Sequence, residues 1–192
     1  MKVQMRFQKI LATCSLIVAA ITIVSAIIFM SGNLADIMYY RDDDVVKDFC
    51  ASAQSFVNTM FILTIVYLCM VVVFYFTDSN KRRNYYITNY VATGLAIAGA
   101  LVVAFYGIIF TSVLLGNFYG LDWEEFQIIM DIASGMGGPI VGKAPTMFII
   151  SYITSFLALV NAVAIGLNLL WKVKLMKGEK ALLEKSLVKE VA

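Results

Sequence analysis

Residues whose type and spacing could do chemistry are sparse in this chain and fall in three places. In the stretch from Thr146 to Trp171, Thr154, Asn161 and Asn168 recur at i, i+7 and i+14, a spacing that sets all three on one face of a helix. Asn58, in an earlier apolar stretch, is a further uncharged polar group of the same kind. Such groups could line a polar path for a small solute or ion. They could equally hydrogen-bond neighbouring helices, each contact contributing on the order of 0.6 to 2 kcal/mol.

The second place is an acidic segment holding Asp36, Asp42, Asp43, Asp44 and Asp48 against Arg41 and Lys47. Calcium takes several oxygen ligands, but the EF-hand order fails at its third ligand, where Val46 stands, and at its glycine. The segment therefore reads as a solvated acidic surface and not a metal site. The third place, GGPIVGKA from Gly137 to Ala144, follows the phosphate-binding G-x-x-x-x-G-K pattern. Ala144 replaces the Ser or Thr that would hold Mg²⁺, and no strand pattern precedes it, so no nucleotide is expected.

Catalysis has little to draw on. The chain has no His, and its long apolar stretches contain no Asp, Glu, Lys or Arg between their ends. Metalloprotease chemistry, a serine nucleophile with its base, and an ionisable proton relay all need such groups. No catalytic, cofactor-binding or metal residue is assigned, and no cofactor is expected.

The elements that must position these residues are membrane spans. Of 192 residues, 61% are hydrophobic and 15% charged, with a mean hydropathy of +0.84; average soluble domains are roughly 45 to 50% apolar and about 25% charged. This excludes a soluble enzyme, a disordered chain and a nucleic-acid binder. Four charge-free runs, Ile10 to Met30, Ser55 to Thr77, Ile87 to Leu115 and Thr146 to Trp171, are each long enough to cross about 30 Å of hydrocarbon as a helix. Helices are the assignment because lipid offers backbone groups no outside partner, and β-barrel strands would be only about 9 to 11 residues long with alternating polarity. The first run is longer than a secretory leader's apolar core and has no clear cleavage site after it, so it reads as a retained helix.

Lys and Arg orient the spans. Twelve of them (Lys2, Arg6, Lys9, Lys81, Arg82, Arg83, Lys172, Lys174, Lys177, Lys180, Lys185 and Lys189) fall on one side with four acids, Asp78, Glu179, Glu184 and Glu190. The other side has Arg41, Lys47 and Lys143 with nine acids. The formal net charge of +2 is thus the remainder of +8 against −6, and both termini are expected in the cytoplasm, with outer loops at about 31–54 and 116–145.

Small residues suggest how the helices meet. Ala12, Ser15, Ala19, Thr22 and Ala26 are spaced 3, 4, 3, 4, a seam that lets backbones approach in a left-handed bundle. In the second outer loop Asp122 can cap a short helix with Glu125 at N3, and Trp123, Phe126 and Met130 then share one face. That predicts an outer lid, acting either as a gate or as a cover. Cys50 is the one cysteine outside the runs and is either free or an intermolecular link.

The expectation is an all-α polytopic membrane protein: a four-transmembrane-helix bundle over residues 1–177, N-in and C-in, followed by a short cytoplasmic amphipathic tail at 178–192. Its partners are the lipid bilayer and copies of itself or another membrane protein, with no nucleic acid and no nucleotide. The expected function is that of a non-catalytic subunit or assembly protein of the plasma membrane. The alternative is an oligomeric pore or facilitator using the polar line.

Overall fold

A computed structural model describes residues 2–79 and 87–191, and of these the backbone alone at 2–5, 33, 79 and 179–191. Six helices form: α1 (Lys2–Ser31), α2 (Asn33–Met38), α3 (Lys47–Ser79), α4 (Ile87–Tyr119), α5 (Trp123–Gly135) and α6 (Thr146–Val191). Four of them are long and apolar enough to cross a membrane, over Arg6–Ser31, Lys47–Asp78, Ile87–Tyr119 and Thr146–Gly178. The helices outrun the charge-free runs because a helix does not stop at the first charge; nothing in these sequences breaks the hydrogen-bond ladder there. At 33 residues α4 is about 50 Å long, against a hydrocarbon thickness of about 30 Å. The basic loop with Lys81, Arg82 and Arg83 lies outside the described residues. So does the side-chain pattern of the tail, whose backbone continues α6 without a break.

The four long helices pack in a ring, α1 and α4 each resting on both α3 and α6. Helices α3 and α6 are therefore diagonal partners. Polarity runs opposite to that of a soluble bundle. Inside lie Ala12, Ser15, Ala19, Thr22, Ala96, Ala100, Ala104, Thr111, Ser151 and Ser155, all buried, while Ile17, Ile21, Val24, Val102, Phe105, Ile109, Ile153 and Phe156 face out. A soluble monomer rarely shows apolar faces this large. A lipid solvent accepts them, and close packing of small residues then holds the helices together. The seam Ala12, Ser15, Ala19, Thr22 and Ala26 is buried along its whole length. Gly107 marks the tightest approach: a Cβ built there would lie 2.0 Å from Ser155 Oγ and 2.9 Å from Met60 Cε.

At the loop end, α1 stops at Ser31 and α2 with its following turns fills the space it vacates, burying Leu34, Ile37 and Val46. Helix α5 is capped at its start by Asp122, whose carboxylate accepts the Glu124 and Glu125 backbone N–H groups at 3.2 Å each. It ends in a Schellman turn: Gly138 N–H reaches Ala133 O at 2.8 Å and Gly137 N–H reaches Ser134 O at 3.0 Å. Gly137, at φ +86°, supplies the left-handed residue this turn requires. The GGPIVGKA segment is the link that follows, and Lys143 lies over the Trp123 ring, 5.9 Å from its centre.

Candidate functional site

The residues of the polar line are brought inside the bundle. Thr154, Asn161 and Asn168 are all buried, and each is already engaged. Thr154 donates back to Ile150 O at 2.8 Å. Asn161 donates to Ser15 O at 3.0 Å and to the Tyr67 hydroxyl, linking α6 to α1 and to its diagonal partner α3. Asn168 donates to Asp78 Oδ2 at 3.5 Å. Asn58 does not join them: it is exposed on the outside of α3.

The line ends on a group that the charge-free runs leave out. Lys172 follows Asn168 by one turn and forms a wholly buried ion pair with Asp78, both side chains 0% exposed. Lys172 Nζ also donates to Asn89 Oδ1 at 2.8 Å and stands 5.8 Å from the centre of the Phe74 ring. Asn89 donates in turn to Thr77 Oγ1 at 3.2 Å and to Asp78 Oδ1 at 3.5 Å. Helices α3, α4 and α6 thus converge on one charged cluster at the end where both chain termini lie. Burying a charge costs several kcal/mol unless its partner and the remaining hydrogen bonds are all supplied. Here nearly all are: among the described residues the cluster's one buried side-chain atom without a partner is Asn168 Oδ1.

Asp78 and Lys172 read from sequence as ordinary charges flanking spans. The charge-free runs themselves hold no charged residue, but the helices that carry two of them bury this pair one residue past the ends of those runs. A signal was present, because Thr154, Asn161, Asn168 and Lys172 run at spacings of 7, 7 and 4 on one helical face. Tyr67, the partner of Asn161, carried no such signal; it resembled any other aromatic residue of an apolar run.

At the opposite end, Phe126 and Met130 of the expected lid are buried and Trp123 is half-buried. Helix α5 and the link after it pack against the turn that follows α2. Tyr40, buried on the turn after α2, donates its hydroxyl to Pro139 O and sets its ring edge-on to Phe126 at 5.3 Å. Phe118 is the centre of this cap, touching Trp123 at 4.9 Å, Phe148 at 5.4 Å and Phe49 at 5.9 Å, and its carbonyl accepts Trp123 Nε1–H at 3.1 Å. Burial pushes the Tyr40 hydroxyl's pKa up, and the nearby Tyr39, Asp43 and Asp36 add to the shift. Arg41 and Asp42, and Lys47 and Asp44, make exposed ion pairs at 3.8 and 3.5 Å. Cys50 is buried with its thiol toward Ile37 O at 3.6 Å, a position closed to an intermolecular disulfide, whereas Cys14 and Cys69 are exposed.

Two outward grooves flank α3 near this end. One, about 560 Å³, lies between α3 and the α1–α2 corner and includes Met30, Leu34, Met38, Gln54 and Asn58. The other, about 430 Å³, lies between α3 and α4 and includes Ala51, Ser52, Ser55, Tyr106 and Phe110. The ridge between them exposes Ser52, Gln54, Ser55 and Asn58; α4 also exposes Ser112, Gly116 and Asn117 near this end, whereas most of the outward surface carries Ile, Val and Phe. Comparison with protein-family models, with curated proteins and with solved structures finds no match to this chain.

Proposed function

We propose that this chain is a non-catalytic integral membrane protein that works by assembling with another membrane protein or with copies of itself. Both termini are placed in the cytoplasm on the charge asymmetry of its flanks, and the plasma membrane is its proposed location. The observation that carries the assembly reading is the outward position of Asn58 on the Ser52, Gln54, Ser55 ridge. Close to hydrocarbon, an exposed carboxamide gains by meeting a helix that offers it a partner, and the neighbouring small residues let that helix come close. The interior polar side chains, by contrast, mostly have partners within the bundle, with Ser15 Oγ and Asn168 Oδ1 the buried exceptions among the described residues.

Size and composition of the complex purified in mild detergent test this reading. Ser55→Leu with Asn58→Leu should release the partner, or shift the oligomer to monomer, without loss of folded protein; an unchanged complex would refute it. The facilitator reading rests on the buried line. Flux into liposomes that disappears in Asn161→Leu while the protein stays folded would favour it. Orientation is tested with single cysteines after Cys14, Cys50 and Cys69 are replaced: Asp43→Cys should react with an impermeant maleimide from outside and Arg82→Cys should not.

A further inference from the structure

The apolar side chains on the outside of α1, α3, α4 and α6 belong to the four spans, and hydrocarbon accounts for them. Helix α5 belongs to none of the spans, and at 13 residues, about 20 Å, it is too short to cross a membrane. Its inward face is used: Phe126 and Met130 are 0% and 1% exposed, and Phe126 meets Tyr40 and Trp123 at 5.3 and 5.7 Å. At about 100° per residue, Ile128 and Ile132 fall on the opposite side of the helix, and they are 62% and 61% exposed. Met136, the C-cap, continues the row by one turn and is 83% exposed. Three large apolar side chains at i, i+4 and i+8 therefore stand clear of both the core and the spans. An apolar row rimmed by polar residues on such a surface marks a place where another molecule binds.

Charge decides what that molecule is. Exposed Glu124 and Asp131 border the row on one side and Glu125 stands at its N-terminal end, whereas α5 contains no basic residue. Gln127 Nε2 donates to Asp131 Oδ1 at 2.9 Å, which holds that carboxylate without neutralising it. Lys143, the one base of 116–145, stands over the Trp123 ring. A helix that lies on a bilayer carries Lys and Arg beside its apolar face; this one would set three carboxylates against the lipid phosphates. A second copy fits no better, since the loops at this end carry nine acids against three bases and two such surfaces repel. The complement of an aliphatic row with carboxylates beside it is a different protein surface, aliphatic at its centre and basic around it.

We propose that the outward face of α5, Ile128, Ile132 and Met136 with Glu124, Glu125 and Asp131 beside them, is the docking surface for such a protein. It shares no residue with the Ser52, Gln54, Ser55 and Asn58 ridge on α3, and neither surface requires the other.

The test uses the full chain in the membranes of its own cells, with photo-reactive benzoylphenylalanine in place of Ile132. Irradiation should join the chain to a different protein, and the joined segment, located by mass spectrometry, should carry Lys or Arg beside aliphatic residues. Glu124→Lys with Glu125→Lys and Asp131→Lys should lower the yield several-fold at equal abundance of the chain, and reversing the charge of the located Lys or Arg should restore it. A synthetic copy of that segment should bind the purified chain in nanodiscs, and about tenfold more weakly after Ile128→Ser with Ile132→Ser; both residues are exposed, so the unfolding temperature should not change. Adducts with lipid alone would put this face on the membrane, and adducts with the same chain alone would make it a self-contact. Either result, no adduct, or an adduct indifferent to the charge reversal overturns the docking surface. Ser55→Leu with Asn58→Leu alters the ridge and leaves α5 intact, so the two surfaces fail separately.

Discussion

At the loop end the bundle is closed by rings packed on rings around Phe118, and at the terminal end by a charge pair with amide and hydroxyl partners around Asp78. The first closure draws on the contact area of several large side chains, so its loss is shared. The second is concentrated in few atoms, each of which leaves a buried partner exposed to a low dielectric when removed. The two ends should therefore fail differently.

The largest effect is expected at the terminal end. Asp78→Leu strands the Lys172 charge and should lower stability by about 3 to 5 kcal/mol, seen as a large drop in unfolding temperature in detergent, whereas Asp78→Leu with Lys172→Met should recover most of it. Lack of recovery would mean that the pair is not the source of the sensitivity. At the loop end, Phe118→Ala removes the central ring and should cost about 3 kcal/mol, and no single second substitution should restore it. Between the ends, Gly107→Val must push against Ser155 and should cost about 2 kcal/mol, shared by whichever closure is intact. A smaller effect is expected from Tyr40→Phe, which leaves the Pro139 carbonyl without its donor, at about 1 kcal/mol.

The same tyrosine separates the ends by pH. Its folded pKa is raised, so the unfolded chain deprotonates first; the stability this contributes is present below the ordinary tyrosine value of about 10 and is lost as pH rises through the folded pKa. Trp123 fluorescence should report loosening of the cap above about pH 10, and Tyr40→Phe should remove that transition. A transition of equal size in the variant would place its origin elsewhere.

How much of this was legible in the sequence differs between the two ends as well. The spans, the α5 cap at Asp122 and the shared face of Phe126 and Met130 are local patterns, visible within one or two turns of helix. The buried polarity of Thr154, Asn161 and Asn168 is local too, a matter of spacing. Asp78 and Lys172 hid because a charge just past an apolar run usually marks where a span meets water, and only the ring order that makes α3 and α6 diagonal brings the two together. Asn58 misled for the opposite reason. Its polarity suggested an interior place, but the face of a helix that turns inward is chosen by its neighbours, and Phe56, Val57 and Met60 are the buried residues of that turn.

The diagonal contact also bears on biogenesis. Asp78 leaves the ribosome long before its partners on α6, Asn168 lying 90 residues further along the chain. Until α6 is made, a carboxylate at the end of α3 has no ammonium to meet and is better left in water than drawn inside. That end of α3 then stays at the aqueous boundary, and the bundle closes there only on arrival of the last helix. Truncated nascent chains ending before Lys172 should accordingly keep α3 accessible to chaperones and proteases that the finished protein excludes.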